Sequence, residues 1–181
     1  MSADLALFVA MAWYTGHRSQ SIRLLAWVDV DLERGQIHWR GENDEIGNDH
    51  WTPIHAELAP RLAEAHAIAE LSGEQWMFPS PRDHRRPLSA NAVVNLWKRL
   101  APKANIPTGE RYGWHSFRRA FANNLRNVAL KDLQNLGGWT TERTVVAVYQ
   151  QPDPAAQRRA LESLGSPNWH QQAPGTGTNQ E

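Results

Sequence analysis

His115 and Arg118 lie three positions apart in the stretch "YGWHSFRRAF", where a helix is predicted to begin. Residues at this spacing share one helix face, and the helix N-terminus adds positive potential to that face. An arginine stays charged and fits its forked guanidinium to phosphate oxygens, while a histidine donates a hydrogen bond or moves a proton. The pair therefore suits a phosphate, although such a pair taken alone is more often a capping histidine beside a surface arginine.

Two further residues could take part in the same chemistry. Arg18 follows the turn in "TGHRSQSIRLL" and opens a second helix, where a cation is unfavourable unless an anion is bound nearby. Tyr149 ends the segment "LGGWTTERTVVAVYQ", in which Trp139 leads into another helix. A phenol is a poor nucleophile until cations surround it and its target. Considered singly, an ordinary surface arginine and a core tyrosine are the commoner interpretations.

The elements that would position these residues are mainly helical. Helices are predicted over residues 3–14, which are apolar nearly all round, over about 18–26, and over 56–71, which are rich in alanine. An amphipathic helix is predicted over "SANAVVNLWKRLAPKA". Ser2 and Ser89 are expected to cap two of them, and Pro60 indicates a kink or a late start. Four short helices are expected towards the end, over "HSFRRAFANNLRNV", "LKDLQNLGG", "TERTVVAVYQ" and "DPAAQRRALESL".

Strands are expected in one region only. "DVDLERGQIHWRG" alternates and turns at "ERGQ", which predicts a β-hairpin, and "HWTPIH" is typical of a third short strand that Pro53 places at an edge or an end. The prolines of "GEQWMFPSPRDHRRP" indicate a loop. The predicted fold is therefore mainly α with a small three-stranded antiparallel sheet.

Composition narrows the possible functions. The 181 residues fit one domain, and the absence of cysteine excludes a disulfide framework and thiolate chemistry. The longest apolar run, "LALFVAMAWYTG", is too short to cross a bilayer. The net charge is zero, yet the segment from Arg82 to Lys131 has eleven basic residues against two acidic ones. That segment could face phosphates or could be a solvated face balanced by the acidic half, and charge alone does not decide between them.

Three separated motifs occur in a recognisable order. "TGHRS…IRLLAWVDVDL", "WHSFRRAFANNL" and "LGGWTTERTVVAVYQ" resemble those of the tyrosine recombinases, the phage-integrase-type DNA strand-exchange enzymes. The resemblance implies the catalytic-domain fold of DNA breaking-rejoining enzymes over residues 1–165. It also implies that the usual N-terminal core-binding domain and the first catalytic-domain helix are missing. Residues 166–181 are low in apolar content and are expected to be a disordered tail.

The resemblance assigns a role to each candidate. In this family two arginines, a histidine, a His-or-Trp position and a tyrosine surround one DNA phosphate; here they would be Arg18 and Arg118, His115, Trp139 and Tyr149. Tyr149 would form a 3′-phosphotyrosyl bond, the arginines would hold the charged oxygens, and His115 would assist proton transfer. Trp139 would donate its indole N–H and pack the site. No metal or cofactor is implied.

The chain departs from the family pattern at two positions. The family places a lysine in the turn between the second and third strands, where it protonates the leaving 5′-oxygen. The matching turn, "RGENDEIGNDHWTPI", contains no lysine, and alignment puts Glu45 at that position. A carboxylate there would repel the phosphate. Ser21 stands where a supporting glutamate is common. Three alternatives follow: an active recombinase, a cleavage-defective DNA-binding remnant and, more distantly, a helical interaction module; topoisomerase activity uses the same chemistry.

The resemblance also implies the partners. Double-stranded DNA is the expected substrate, with a homo-tetramer on paired sites and with "DPAAQRRALESL" as a segment that neighbours exchange. Neither a membrane nor a small-molecule substrate is expected. The implied setting is a mobile element or prophage, with a cytoplasmic, nucleoid-associated protein.

Overall fold

The computed structural model describes residues 3–44, 47–107, 112–149 and 152–163. Of Ala3, Asp4, Val148 and Tyr149 it describes the backbone alone. The chain divides into two compact units, Met1–Gln150 and Gln151–Glu181. Within the described residues, the second unit contains one helix, α8 (Pro154–Glu162). The expected domain end at residue 165 stays a prediction, and the predicted Ser2 cap and tail fall outside the described residues.

The first helix forms the centre of the larger core. α1 (Ala3–Thr15) buries Leu5, Phe8 and Met11, as its apolar sequence predicts. α2 (Ser19–Arg23) is shorter than the predicted 18–26. The helix stops because the next backbone groups pair elsewhere: Trp27 N–H donates to the Gln75 carbonyl at 2.9 Å, and Met77 N–H donates to the Leu25 carbonyl at 3.0 Å.

The predicted three-stranded sheet is confirmed. β1 (Val30–Asp31), β2 (Gln36–Trp39) and β3 (His50–Pro53) are antiparallel and adjacent in that order. Trp39 is paired with His50, and Ile37 and Trp39 turn to the core. Because β3 is an edge strand, Pro53 at its end breaks no ladder.

The expected loop over "GEQWMFPSPRDHRRP" is wrong in part. It contains a second antiparallel ribbon, β4 (Pro79–Ser80) and β5 (Asp83–Pro87), in which Pro79 is paired with Pro87. The ribbon has only two strands, so its prolines can sit where no N–H is required. The Trp76 indole N–H fixes it by donating to the Arg85 carbonyl at 3.0 Å.

Two longer helices complete the first half. α3 (Ala59–Ser72) has Pro60 in its first turn, so this proline marks a late start. α4 (Ala90–Lys103) is capped by Ser89, whose hydroxyl accepts from the Ala92 N–H at 3.2 Å, as predicted.

The remaining helices build a smaller second core. They are α5 (Trp114–Asn124), α6 (Leu130–Leu136) and α7 (Glu142–Thr144), and α7 continues into a π-helical turn over Val145–Tyr149. With α8, they confirm the four predicted short helices. Phe121, Leu133, Trp139 and Val145 are buried together in this core. α5 packs against α1, which brings the two cores into contact.

Candidate active site

The beginnings of α2 and α5 meet around one pocket. Three of the residues singled out from the sequence line it, although they are about a hundred positions apart: Arg18 on one side, and His115 and Arg118 on the other. The pocket has a volume of about 260 Å³, and its other lining residues are His17, Ser19, Gln20 and Trp114. A pocket with two guanidinium groups and two imidazoles suits an anion.

α5 is fixed at its start by contacts on both sides. The Trp114 indole N–H donates to the Val93 carbonyl of α4 at 2.9 Å, and the Trp114 ring packs edge-on against Phe8 of α1. The Ser116 hydroxyl accepts from the Gly113 N–H at 3.2 Å. These contacts leave His115 exposed and turn Arg118 inwards.

Arg118 is buried, with 1% of its surface exposed, and its guanidinium is held by backbone carbonyls. Nη1 donates to the Gly16 carbonyl at 2.7 Å and also to the Gly137 carbonyl, while Nη2 lies 3.5 Å from the Gly138 carbonyl oxygen. These carbonyls come from the turn after α1 and the turn after α6. Arg118 therefore joins the two cores at the pocket wall.

Trp139 supports Arg118 from the side of the second core. The guanidinium carbon lies 4.0 Å from the centre of the indole ring, which is a cation–π distance. Trp139 is buried, including its indole nitrogen, and it is not among the residues that line the pocket. The packing expected of Trp139 is present, and donation by its N–H stays a prediction.

Arg18 is paired with a carboxylate from the turn between β2 and β3. Its Nη1 lies 3.2 Å from Asp44 Oδ1, and 8% of the Asp44 side chain is exposed. The acidic turn therefore reaches the pocket wall through Asp44. Glu45, which alignment put at the general-acid position, lies outside the described residues.

The backbone of Tyr149 ends the π-helical turn that follows α7. Val145, at the other end of this turn, is fully buried in the second core, and the turn lies against α5. The segment with Tyr149 thus packs on the helix that carries His115 and Arg118. π-helical turns are rare and are found often at functional sites.

A pair of histidines next to the pocket was missed from the sequence. His17 Nε2 lies 3.1 Å from His50 Nε2, and the His17 ring stacks on Trp39 with ring centres 3.5 Å apart. The sequence signal was present, since His17 precedes Arg18 directly. The partner, on β3, is 33 residues away, so the pairing has no local pattern.

Both histidines are biased towards the uncharged form. Burial lowers the pKa of His17 well below its ordinary value, and the charges of Arg118 and His50 lower it further. Burial also lowers the pKa of His50, against the opposing effects of the Asn48 carbonyl and of Asp44 and Asp49. The pair is therefore an uncharged group beside a cationic pocket near neutral pH.

The described residues form neither a cluster of metal ligands nor a membrane-spanning helix. No group of three or more histidine, cysteine, aspartate or glutamate side chains there is arranged to hold a metal ion. In that part of the chain, no helix is both long and apolar enough to span a membrane.

Comparison with known proteins gives the same fold. A Pseudomonas syringae protein named as the tyrosine recombinase XerC is 28% identical over an alignment of 174 positions, and the match covers 89% of this chain and 35% of that protein. The XerA recombinase structure matches with a TM-score of 0.69 and 21% identity, over 89% of this chain and 56% of the other. The Tn1549 transposon integrase in complex with a circular intermediate DNA matches with a TM-score of 0.65 and 19% identity, over 88% and 58% of the two chains. The chain thus spans about a third of the curated relative and somewhat more than half of these two structures.

These matches confirm the fold class expected from the sequence, that of a tyrosine recombinase catalytic domain. The model of the phage integrase family matches residues 1–156, which is most of the chain and includes all three motifs. The chain therefore belongs to the phage integrase family, the tyrosine recombinases.

Proposed function

We propose that this chain binds double-stranded DNA and cleaves and rejoins one strand through Tyr149, in site-specific recombination or integration. The observation that carries the proposal is the convergence of Arg18, His115 and Arg118 on one pocket. Solved relatives with the same fold support DNA as the substrate, since XerH is described bound to its difH substrate and the Tn1549 integrase in complex with DNA.

The proposed reaction is a transesterification. The Tyr149 phenol oxygen attacks the phosphorus and loses its proton, for which His115 is the proposed acceptor. The bond from phosphorus to the 5′-oxygen breaks, so the 3′-phosphate remains on Tyr149 and the 5′-oxygen leaves as a hydroxyl after gaining a proton. Arg18 and Arg118 stabilise the negative charge that grows on the phosphoryl oxygens.

Trp139 acts in this scheme by positioning Arg118. The indole face and the carbonyls of Gly137 and Gly138 hold the guanidinium at the pocket wall before DNA arrives. A group fixed in advance loses little freedom when the transition state forms.

The group that donates a proton to the leaving 5′-oxygen is unassigned. No lysine lies between Arg40 and Arg61, and we propose that Glu45 occupies the position of the missing acid. The second candidate function is therefore a DNA-binding protein that does not cleave. The ion pair between Arg18 and Asp44 favours this alternative, because a carboxylate 3.2 Å from Arg18 competes with a phosphate for the same guanidinium.

The wider setting is proposed from the family alone. A homo-tetramer on paired sites would carry out strand exchange, with α8 as the segment that neighbours exchange. The protein would work in the cytoplasm on the nucleoid, as part of a mobile element or prophage.

A covalent-trapping experiment tests the proposal. The chain is incubated with nicked duplexes in which the cleaved end diffuses away, and denaturing gels then reveal any DNA that stays attached to protein. We expect an adduct with the native chain and none with Tyr149→Phe, which keeps the ring but lacks the nucleophile. Salt-sensitive DNA binding without an adduct would identify the non-cleaving alternative, and no DNA binding would contradict both.

A further inference from the structure

The His17–His50 pair is a buried site that could hold a proton at the wall of the pocket. His17 lines the pocket together with Arg18 and Arg118, and its Nε2 atom lies 3.1 Å from His50 Nε2. A Cβ atom at position 138 would lie 2.9 Å from His50 Cε1 and 3.1 Å from His17 Nε2. Gly138 therefore leaves the space in which the two rings meet.

The hydrogen bonds of the pair do not fit two neutral rings. His17 Nδ1 lies 3.0 Å from the Thr15 carbonyl oxygen, and His50 Nδ1 lies 3.2 Å from the Asn48 carbonyl oxygen. A carbonyl only accepts, so both Nδ1 atoms need protons. A neutral imidazole has one N–H, which leaves two bare Nε2 atoms facing each other. One additional proton between the Nε2 atoms would satisfy all four ring nitrogens.

The charges around the pair oppose that proton in the free protein. Arg18, directly before α2, and Arg118 of α5 disfavour this proton, and so does burial. Asp44 and Asp49, in the turn between β2 and β3, favour it, and His38 of β2 disfavours it at His50. A phosphate in the pocket would cancel much of the arginine charge, so the balance would shift towards a protonated pair.

We propose that the His17–His50 pair takes up one proton from solvent when a phosphate enters the pocket, and that this shared proton adds a positive charge to the site. The inference rests on the proposed function, because a DNA phosphate must occupy the pocket. Proton uptake and phosphate binding are then linked, so each strengthens the other.

Calorimetry measures the uptake directly. The full chain is titrated with duplex DNA at low salt and neutral pH in two buffers of different ionisation enthalpy, and the difference gives the protons bound per site. We expect about one more proton for the native chain than for His50→Gln, whose amide can still donate to His17. Because uptake of one proton changes the affinity about tenfold per pH unit, affinity should be roughly 30- to 100-fold higher near pH 6 than near pH 8 in the native chain, with a flatter dependence in His50→Gln.

Two control variants exclude other histidines. His115→Gln removes the other titratable ring in the pocket and should keep the uptake by the pair, even if it binds more weakly. His66→Gln changes a histidine on α3, away from the pocket, and should bind and take up protons as the native chain does.

The outcomes separate this inference from the proposed function. DNA binding without proton uptake, or equal uptake by the native chain and His50→Gln, overturns the inference and leaves the function standing. No salt-sensitive binding overturns the function and the linkage with it. If His50→Gln does not fold, ¹⁵N NMR of the native histidine rings decides: the Nε2 signals of His17 and His50 should shift towards protonated values when DNA is added, and unchanged signals overturn the inference.

Discussion

The guanidinium carbon of Arg118 lies 4.0 Å from the centre of the Trp139 indole ring, and both side chains are almost completely buried. A charged group is costly to bury unless its surroundings compensate for lost water. Here backbone carbonyl oxygens and the indole face compensate for the lost water, and because they are uncharged they do not neutralise the guanidinium. The arrangement keeps a buried cation at the wall of a pocket that suits an anion.

Removing the indole should therefore destabilise the fold. Trp139→Ala is expected to lower the free energy of unfolding by about 3–5 kcal/mol, since it opens a cavity under a buried charge. Trp139→Phe keeps an aromatic face and should cost less. Urea unfolding measures both. Trp51→Ala is the control, because Trp51 is 45% exposed on the sheet edge. Equal losses for the two alanine variants would contradict a special role for Trp139.

The turn after α1 requires a residue without a side chain. Gly16 has φ +64°, and a Cβ atom there would lie 2.5 Å from the Phe121 ring. Gly16→Ala is expected to lower the free energy of unfolding by about 2–4 kcal/mol, from backbone strain together with overpacking. Gly73→Ala separates the two effects, because Gly73 has φ +68° and open space around it. It should cost only about 1–2 kcal/mol by thermal or urea unfolding. Equal costs would mean that the contact with Phe121 relaxes freely.

Neutralising Asp44 should strengthen DNA binding. Asp44→Asn keeps the size of the side chain that contacts Arg18 but removes its charge, so a phosphate no longer competes with a carboxylate. We expect roughly three- to tenfold tighter binding to duplex DNA at low salt, whereas Arg18→Gln should bind more weakly. Fluorescence anisotropy measures both. Asp83→Asn, at the exposed start of β5, controls for net charge. If it matches Asp44→Asn, the gain is a general charge effect.

The buried carboxylate of Asp29 should stabilise the fold, because it binds Arg40 directly after β2. It accepts from Arg40 Nε at 2.6 Å and from the Ala26 N–H at 2.9 Å. Asp29→Asn is expected to cost about 1.5–3 kcal/mol, because a charge-assisted bond is lost inside the fold. Asp83→Asn serves again as the exposed control and should cost less than about 1 kcal/mol. A small loss at Asp29 in urea unfolding would mean that Arg40 finds another acceptor.

The free protein should lose stability in mild acid. The pKa of His17 is well below its ordinary value, so near neutral pH the unfolded chain binds more protons than the folded one. The free energy of unfolding should fall as the pH drops below about 6.5, by up to about 1.4 kcal/mol per pH unit for each such proton. Denaturant titrations across this range measure the slope. His50→Gln should change the slope, and a slope equal to that of the native chain would contradict the prediction.

Most of the fold could be predicted, and the exceptions have physical causes. Local composition located α1, α3, α4 and the last four helices, and among them α4 and α5 bury the apolar residues of one face. α2 was predicted too long because its end is set by backbone pairing of Leu25 and Trp27 with residues about fifty positions away. The β4–β5 ribbon was missed because prolines usually indicate loops, and a two-stranded ribbon tolerates them.

Some residues of the candidate site could be predicted from the sequence and others could not. Motif spacing singled out Arg18, His115 and Arg118, and the fold brings them to one pocket. Asp44 and the His17–His50 pair were not anticipated, because each contact joins residues that are far apart in sequence and carry no shared motif. The roles assigned to Tyr149 and Glu45 remain predictions.

The short turn formed by Gly137, Gly138 and Trp139 has a consequence for protein engineering. The carbonyl groups of Gly137 and Gly138 hold the Arg118 guanidinium, and the Trp139 ring packs against it. Gly138 also leaves room for the imidazole rings of His17 and His50. A Cβ atom at Gly137 would also collide with the Trp139 ring, 1.8 Å away. Substitutions within these three residues will not have additive effects, so the tripeptide has to be varied or transplanted as one unit.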